Sequence, residues 1–145
     1  NLHMPALIPD EYLGDVHQRL LFYKRISNTN AQEKLDNIRM ELIDRFGILP
    51  VAVKQLFSVH EIRIQAEQLG IVKIDINSNG GYIEFAPDTP VQAISIIQMM
   101  QRQPTYFRME GGQRLKIMVM LEDYEKRIGF MKELLAGLIR ELPTN

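Results

Sequence analysis

Apolar residues recur three or four positions apart through the first half of the chain, which is the spacing of one side of a helix. This pattern predicts helices from Asp15 to about Ser27, over residues 31–46, and from Pro50 to Leu69. Short polar links join these helices, so neighbouring helices should pack against each other. The residues expected to face inward are Val16, Leu20, Leu21 and Tyr23, then Leu35, Ile38, Leu42 and Phe46, then Val53, Leu56, Phe57 and Ile64.

The second half of the chain opens with alternating apolar and polar residues, which is typical of strands with one exposed side. Residues 71–76 and 82–85 flank a glycine-containing turn, and residues 105–109 and 114–120 flank another. Two β-hairpins are therefore predicted. The residues of the first strand expected on one face are Val72, Ile74 and Ile76.

Two further helices are predicted, one between the hairpins and one at the end of the chain. Thr89 and Pro90 should begin the first of them, and Pro104 should end it. The other runs from about Asp123 to Leu142 with a heptad-like stripe, which is too short to favour a coiled coil over packing on the sheet. The expected inward residues are Val91, Ile94, Ile97 and Met100, then Tyr124, Ile128, Met131, Leu135, Leu138 and Leu142.

These elements predict an α+β fold. An N-terminal helical unit should precede a small antiparallel sheet of two hairpins with packed helices and a long C-terminal helix. Residues 1–14, which contain prolines at 5 and 9, should form an extended lead-in from a preceding domain, and residues 15–145 a single domain. Because the chain starts in the middle of an alternating pattern, we expect it to be a fragment of a longer polypeptide.

The composition narrows the possible functions. Of the 145 residues, 17 are Lys or Arg and 18 are Asp or Glu, so the net charge of −1 provides no overall field toward nucleic acid or membrane. No cysteine is present, which excludes disulfides, zinc–thiolate sites and thiol nucleophiles and agrees with a cytoplasmic protein. No apolar run approaches the ~18 residues that suggest a membrane span.

No catalytic, metal-binding or cofactor-binding residues are predicted. The histidines at 3, 17 and 60 do not stand at ligand spacing, and no nucleophile elbow, phosphate loop or dinucleotide fingerprint occurs. The glycine pairs 80–81 and 111–112 lie between strand signals and indicate turns rather than phosphate cradles. The paired carboxylates lack the apolar setting that would separate their pKa values for acid–base work.

Two surface features remain as candidate interfaces. The first is a basic and aromatic mixture around the second hairpin, which could bind nucleic acid or form an ordinary solvated sheet face. Only one of its two adjacent aromatics could stack on a base, since Tyr106 and Phe107 should lie on opposite faces. Its basic members are Arg102, Arg108, Arg114 and Lys116.

The second feature is the segment from Glu41 to Pro50. Glu41, Asp44 and Arg45 fall off the apolar stripe of the second helix and should face outward. Gly47 then stands where a helix ends in a left-handed conformation, and Pro50 stands in the first turn of the next helix.

Four stretches of the sequence resemble the C-terminal (TRCF) domain of the bacterial transcription-repair coupling factors, the Mfd family. They are Pro5-Ala-Leu-Ile-Pro-Asp10, Arg19-Leu-Leu-Phe-Tyr-Lys-Arg-Ile26, Glu41-Leu-Ile-Asp-Arg-Phe-Gly47 and Gly80-Gly81-x-Ile83-Glu-Phe85. The likeness extends over essentially the whole chain, in order and with similar spacing.

The resemblance implies a non-catalytic regulatory role for this segment. Family members are ATP-driven superfamily 2 DNA translocases that displace stalled RNA polymerase and recruit the repair protein UvrA. The ATPase motifs lie upstream of this domain, so ATP and magnesium belong to the parent protein.

In the family, the C-terminal domain folds back onto the N-terminal UvrB-like module of the same polypeptide and masks its UvrA-binding surface. The resemblance therefore implies an interdomain interface at Glu41, Asp44 and Arg45, for which a plain solvated helix face is the alternative. UvrA and RNA polymerase would be indirect partners, and DNA would be bound through the parent. The alternative function is a nucleic-acid-binding module that uses the second hairpin.

Overall fold

The structure is a computed structural model that describes residues 1–144. Helices and an antiparallel sheet follow one another in the predicted order, which confirms the α+β fold. The elements are α1 Val16–Ser27, α2 Gln32–Phe46, α3 Val51–Gln68, β1 Ile71–Asn77, β2 Gly80–Phe85, α4 Ala93–Arg102, β3 Phe107–Glu110, β4 Arg114–Ile117 and α5 Tyr124–Arg140.

The contacts of the chain divide it into two compact units. Met4–Ile64 forms one, called here the helical unit, and residues 1–3 with the chain from Gln65 onward form the other, called the sheet unit. The boundary expected after residue 14 and the single domain expected over 15–145 stay predictions, and Asn145 lies outside the described residues.

The core of the helical unit is built mainly from α2 and α3. The predicted stripes of these two helices are confirmed, because the residues expected inward are buried and Phe46 is half-buried. The stripe predicted for α1 is wrong at three of its four positions, since Val16, Leu20 and Leu21 are more than half exposed. Tyr23 is half-buried and packs against the core, and the fully buried residues are Phe22 and Ile26. Apolar residues surround this short helix, so spacing alone does not select the side that packs.

The sheet has the strand order β1-β2-β4-β3, and each neighbouring pair is antiparallel. One face is apolar and buried, whereas the other carries charged residues. The alternation predicted for β1 fails at its start, because a register shift between Ile71 and Lys73 turns Ile71 inward and leaves Val72 65% exposed. The buried residues of the apolar face are Ile71, Ile76, Ile83, Phe85, Phe107, Leu115 and Ile117.

The first hairpin requires glycine where β2 begins. Gly80 and Gly81 have φ values of +95° and +153°. A Cβ at Gly80 would lie 2.2 Å from the carbonyl oxygen of Ile117, and one at Gly81 would lie 1.9 Å from that of Asp75. This glycine pair therefore belongs to the close approach of three strands, in agreement with the hairpin interpretation.

Helix α4 begins at Ala93, three residues later than predicted from Thr89-Pro90. The Thr89 hydroxyl donates to the carbonyl of Leu69 and accepts from the amide of Val91, so it stabilises a turn before the helix. The stripe predicted for this helix is wrong at two of its four positions, whereas Val91 and Met100 are half-buried. Ser95, Ile96 and Met99 are buried, whereas Ile94 and Ile97 are 53% and 43% exposed.

Helix α5 follows its predicted stripe more closely. Met131, Leu135 and Leu138 are buried as expected, whereas Tyr124 is exposed. Leu134 and Arg127 are buried as well. The ring of Phe130 stacks on that of Phe107 in β3 with 6.1 Å between centroids, which places α5 on the apolar face of the sheet.

Arg127 of α5 is a buried cation that bonds to backbone carbonyls. Its guanidinium donates to the carbonyl oxygens of Leu2, His3 and Leu121. The amide of Ile76 donates to the carbonyl of Asn1 over 2.9 Å, so residues 1–3 are also bonded to β1. The first residues of the chain are thereby fixed within the sheet unit.

Candidate functional site

Glu41 lies at the centre of an ion-pair cluster on the surface of the helical unit. Its two carboxylate oxygens accept from both terminal nitrogens of Arg25 in α1, at 3.0 and 2.9 Å. Arg45, one turn further along α2, donates to the same carboxylate at 3.2 Å. The hydrogen bond from Arg25 is the main cause that lowers the pKa of Glu41, so the group is ionised at neutral pH.

Two aromatic rings pack against the arginines of this cluster. The guanidinium carbons of Arg25 and Arg45 lie 5.1 and 5.6 Å from the centroid of the buried Phe22 ring. Phe46 meets Phe22 edge to face at 6.2 Å and lies 5.0 Å from the same carbon of Arg45. Both arginines are therefore held by a carboxylate on one side and a ring on the other.

Asp44 differs from its two neighbours in the candidate interface. Its side chain is exposed and forms no hydrogen bond or ion pair with any residue of 1–144. The 100° turn per residue explains why: Glu41 and Arg45 face the α1 side of α2, whereas Asp44 faces solvent. The structure places all three residues on the outside of α2, and Asp44 is the one whose charge is uncompensated.

Two exposed apolar side chains accompany Asp44. Met40, one turn before it, is 54% exposed, and Ile48, just beyond the end of α2, is 88% exposed. Neither residue was among the candidates predicted from the sequence. A signal was present, since Met40 lies off the stripe of Leu35, Ile38 and Leu42, and Ile48 sits in the turn that Gly47 begins.

The basic residues around the second hairpin have carboxylate partners. Arg108 and Lys116 lie 3.4 and 3.6 Å from the same oxygen of Glu110. Arg114 lies 3.3 Å from Glu84. The fourth residue of the predicted patch, Arg102 of α4, lies 3.8 Å from Glu141.

The register of the sheet explains this pairing. Arg108, Lys116 and Tyr82 are cross-strand neighbours, and so are Glu110, Arg114 and Glu84, so all six side chains share one face. Cations and carboxylates are mixed on that face. Phe107 is buried in the core and Tyr106 is 38% exposed, so one aromatic of the pair is accessible, as expected from their positions.

Further ionisable groups of the described residues lie outside these two surfaces. Within residues 1–144 no group of three or more His, Cys, Asp or Glu side chains could hold a metal ion. His3 pairs with Asp75 at 2.6 Å. Burial lowers the pKa of His60. None of the helices in residues 1–144 is long and apolar enough to span a membrane.

Comparisons with known proteins point to one family. The model of the TRCF domain matches residues 2–96. The transcription-repair-coupling factor of Haemophilus influenzae is 44% identical over 134 residues, which cover 92% of this chain and 12% of that protein. That of Escherichia coli is 40% identical over 144 residues, which cover 99% of this chain and 12% of that protein. The chain thus spans 12% of the length of these relatives.

A crystal structure of the C-terminal domain of a transcription-repair coupling factor has a similar fold. It superposes with a TM-score of 0.76 over 97% of this chain and 92% of that one. At 21% sequence identity, this likeness concerns the fold alone.

Proposed function

The chain belongs to the TRCF domain family of transcription-repair-coupling factors, and we propose that it is a non-catalytic, autoinhibitory docking domain of a longer coupling factor. In this proposal, the outer face of α2 binds the N-terminal UvrB-like module of the same polypeptide. The contact would mask the surface of that module that binds UvrA. ATP hydrolysis, DNA translocation and the displacement of stalled RNA polymerase would belong to the rest of the parent protein.

The observation that carries the proposal is the unpaired carboxylate of Asp44. An exposed charge without an internal partner can form an ion pair with another surface at little cost in lost intramolecular contacts. The neighbouring cluster of Arg25, Glu41 and Arg45 ties α1 to α2. Asp44 is therefore presented on a backbone whose position is fixed.

Glu41 and Arg45 would have a different part in the interface from that of Asp44. Glu41 already accepts from two arginines, so a cation of the partner would share its carboxylate with them. Arg45 lies against Phe22 and Phe46, and its position limits its reach. We propose that this pair shapes the edge of the interface while Asp44 makes the direct ion pair.

A weak contact is sufficient for autoinhibition within one polypeptide. A tether supplies an effective concentration of ~1 mM, so a Kd of ~10 µM between separated domains keeps about 99% of molecules closed. That bias is about 2.7 kcal/mol. Engagement of polymerase and DNA by the parent protein could overcome it.

The alternative function, nucleic-acid binding by the second hairpin, is not favoured by a specific observation. Binding to phosphates requires cations that can release counterions on contact. Arg108, Arg114 and Lys116 face carboxylates of the same sheet, which would have to be displaced or would repel the phosphates.

Calorimetric titration of this chain with the UvrB-like module of the same parent protein tests the proposal. We expect a micromolar Kd for the unmodified chain and at least tenfold weaker binding for Asp44→Lys, because the substitution replaces attraction by repulsion. The double variant Glu41→Lys/Asp44→Lys should not bind measurably.

Asp88→Lys is the matched control, since Asp88 is an exposed aspartate in the sheet unit. Its affinity should equal that of the unmodified chain. If Asp88→Lys and Asp44→Lys lose affinity equally, the loss would be due to the change in net charge, and this result would contradict a docking face on α2. No binding by the unmodified chain would remove the direct contact altogether.

A further inference from the structure

The corner between α2 and α3 exposes an isoleucine with no covering side chain. Gly47 ends α2 with a φ of +93°, and a Cβ at this position would meet nothing within 4 Å. Ile48 follows with an exposed fraction of 88%, the largest among the large apolar residues found exposed in residues 1–144. Leu49, the next residue, is buried. The chain therefore turns Ile48 outward while the residue beside it joins the core.

A cavity adjoins Ile48 on the α3 side. Its volume is about 370 Å³, and Ile43 and Leu49 contribute apolar lining. Lys54 borders it from α3, and it is exposed. Arg39 and Ser58 also line the cavity, so Ile48 lies between the outer face of α2 and a cavity that is partly apolar and bordered by two cations.

The solvent side of α2 next to this patch carries negative charge. Glu33, Asn37, Met40 and Asp44 follow each other at intervals of four, three and four residues, so they form one row. All four are exposed, and the row contains no cation. Met40 adds a second exposed apolar side chain, which lies between the two carboxylates along the row.

We propose that Ile48 and Met40 are the apolar anchors of the docking face, an inference that rests on the function proposed above. The partner surface would then be an apolar depression bordered by lysine or arginine side chains on the α2 side. The charges on α2 favour a basic partner, since a lysine or arginine of the partner placed beside the row would face Asp44 and Glu33. A carboxylate there would be repelled by the same row.

Charge alone is a poor source of affinity for such a face. Exposed ion pairs contribute little and weaken with salt, whereas the burial of apolar side chains is largely insensitive to moderate salt. Interfaces commonly draw most of their affinity from a few residues near the centre that are fully shielded from water. Ile48 and Met40 flank Asp44, so the ion pair would be shielded from water when both are covered.

The experiment measures Kd for the UvrB-like module of the same parent protein at 50 mM and 300 mM NaCl. Ile48→Ser and Met40→Gln should each weaken binding by about tenfold at both salt concentrations. Asp44→Asn should weaken binding mainly at 50 mM NaCl, so that Kd changes less between the two salt concentrations. Because Ile48 and Met40 are exposed, the melting temperature of both variants should match that of the unmodified chain.

Val72→Thr is the matched control, because Val72 is 65% exposed on a strand of the sheet unit. It should leave Kd unchanged at both salt concentrations. Equal weakening by Val72→Thr would show a general effect of surface hydrophobicity and would overturn the inference. Ile48→Leu should bind nearly as well as the unmodified chain.

The outcomes separate this inference from the proposed function. If Asp44→Lys abolishes binding while Ile48→Ser and Met40→Gln bind within twofold of the unmodified chain, the docking face stands and the apolar anchors are wrong. If the unmodified chain does not bind the module, the proposed function fails and the inference fails with it.

Discussion

The outer face of α2 and the polar face of the sheet both carry rows of charged side chains, but they differ in how those charges are paired. On the sheet, Arg108 and Arg114 each lie close to a carboxylate of the same face. On α2, Glu41 is paired with two arginines, whereas Asp44 has no partner among the described residues. Two surfaces that carry similar numbers of charges can therefore differ in how many charges are left without an internal partner.

The two geometries explain the difference. In an antiparallel sheet, side chains of neighbouring strands lie directly opposite each other on one face, so opposite charges are easily brought together. On a helix, Glu41 and Arg45 meet because they are one turn apart, and Arg25 comes from the adjacent helix. Asp44 is rotated away from both arginines and remains available for another molecule.

The largest effect is expected where a charge has a structural role inside the sheet unit. Arg127→Met should lower the free energy of unfolding by about 3 kcal/mol, because two buried carbonyl oxygens and a partly buried one lose their donor. Urea denaturation measures the change. Arg140→Met on the same helix is the control, since Arg140 is exposed. Equal stability of both variants would contradict a structural role for Arg127.

Within the candidate site, substitutions of Glu41 and Asp44 should differ in their effect on the stability of the chain. Glu41→Lys should destabilise the chain by about 1 kcal/mol, because it leaves Arg25 and Arg45 beside a third cation. Asp44→Lys should change stability by less than about 0.5 kcal/mol, as expected for an exposed residue without partners. Denaturant melts of both variants test this contrast, and a larger loss for Asp44→Lys would reverse it.

A smaller effect is expected on how the stability of the chain depends on pH. The pKa of Glu41 is lowered in the folded chain, mainly by the hydrogen bond from Arg25, so the unfolded chain binds this proton more tightly. The contribution of the pair is therefore present above the ordinary carboxyl pKa and is lost as pH falls through the lowered pKa. The side chain is 35% exposed, and solvent screening limits the contribution to about 0.5 kcal/mol.

The contribution of this ion pair can be measured by comparing the unfolding free energy of the unmodified chain with that of Glu41→Gln at several pH values. The difference in unfolding free energy between the unmodified chain and this variant should be present at pH 7 and should shrink toward pH 3. A difference that stays constant over this range would show that the ion pair does not cause it.

The smallest effect is expected on the polar face of the sheet. Arg108→Ala and Arg114→Ala should leave the weak affinity of the chain for a fluorescent DNA duplex at 50 mM NaCl unchanged within twofold, because both cations are already neutralised by carboxylates. Fluorescence anisotropy measures this affinity. Tight, steeply salt-dependent DNA binding by the unmodified chain, abolished in either variant, would instead support nucleic-acid binding by the second hairpin.

The buried face of α2 was predicted correctly from the sequence. Helix α2 has a single stripe, and its buried residues Leu35, Ile38 and Leu42 were found from spacing alone. Helix α1 carries apolar residues on several sides, so the choice of its buried face depends on packing that spacing does not contain. In α4 the apolar residues lie mainly on one side, but the buried side is displaced from it and includes Ser95. The exposure of Val72 depends on a bulge, which has no signal in the alternation of β1.

The candidate site was predictable in part. The outward placement of Asp44 follows from the helical period and the stripe of α2, and its role in an interface stays a prediction. The pairing of Glu41 with Arg25 depends on how two helices meet and could not be read from either helix. The exposure of Ile48 was missed because α2 ends at Phe46, and the helical period assigns no face to a residue in the turn that follows.

The central claim is that the chain docks through the outer face of α2, and NMR mapping of the whole surface tests it most directly. The isotope-labelled chain would be titrated with the UvrB-like module of the same parent protein, and shifts of amide resonances would be followed. We predict shifts concentrated on residues 37–48, with β3 and β4 unchanged. Shifts confined to β3 and β4, or none at protein concentrations near the solubility limit, would contradict the claim.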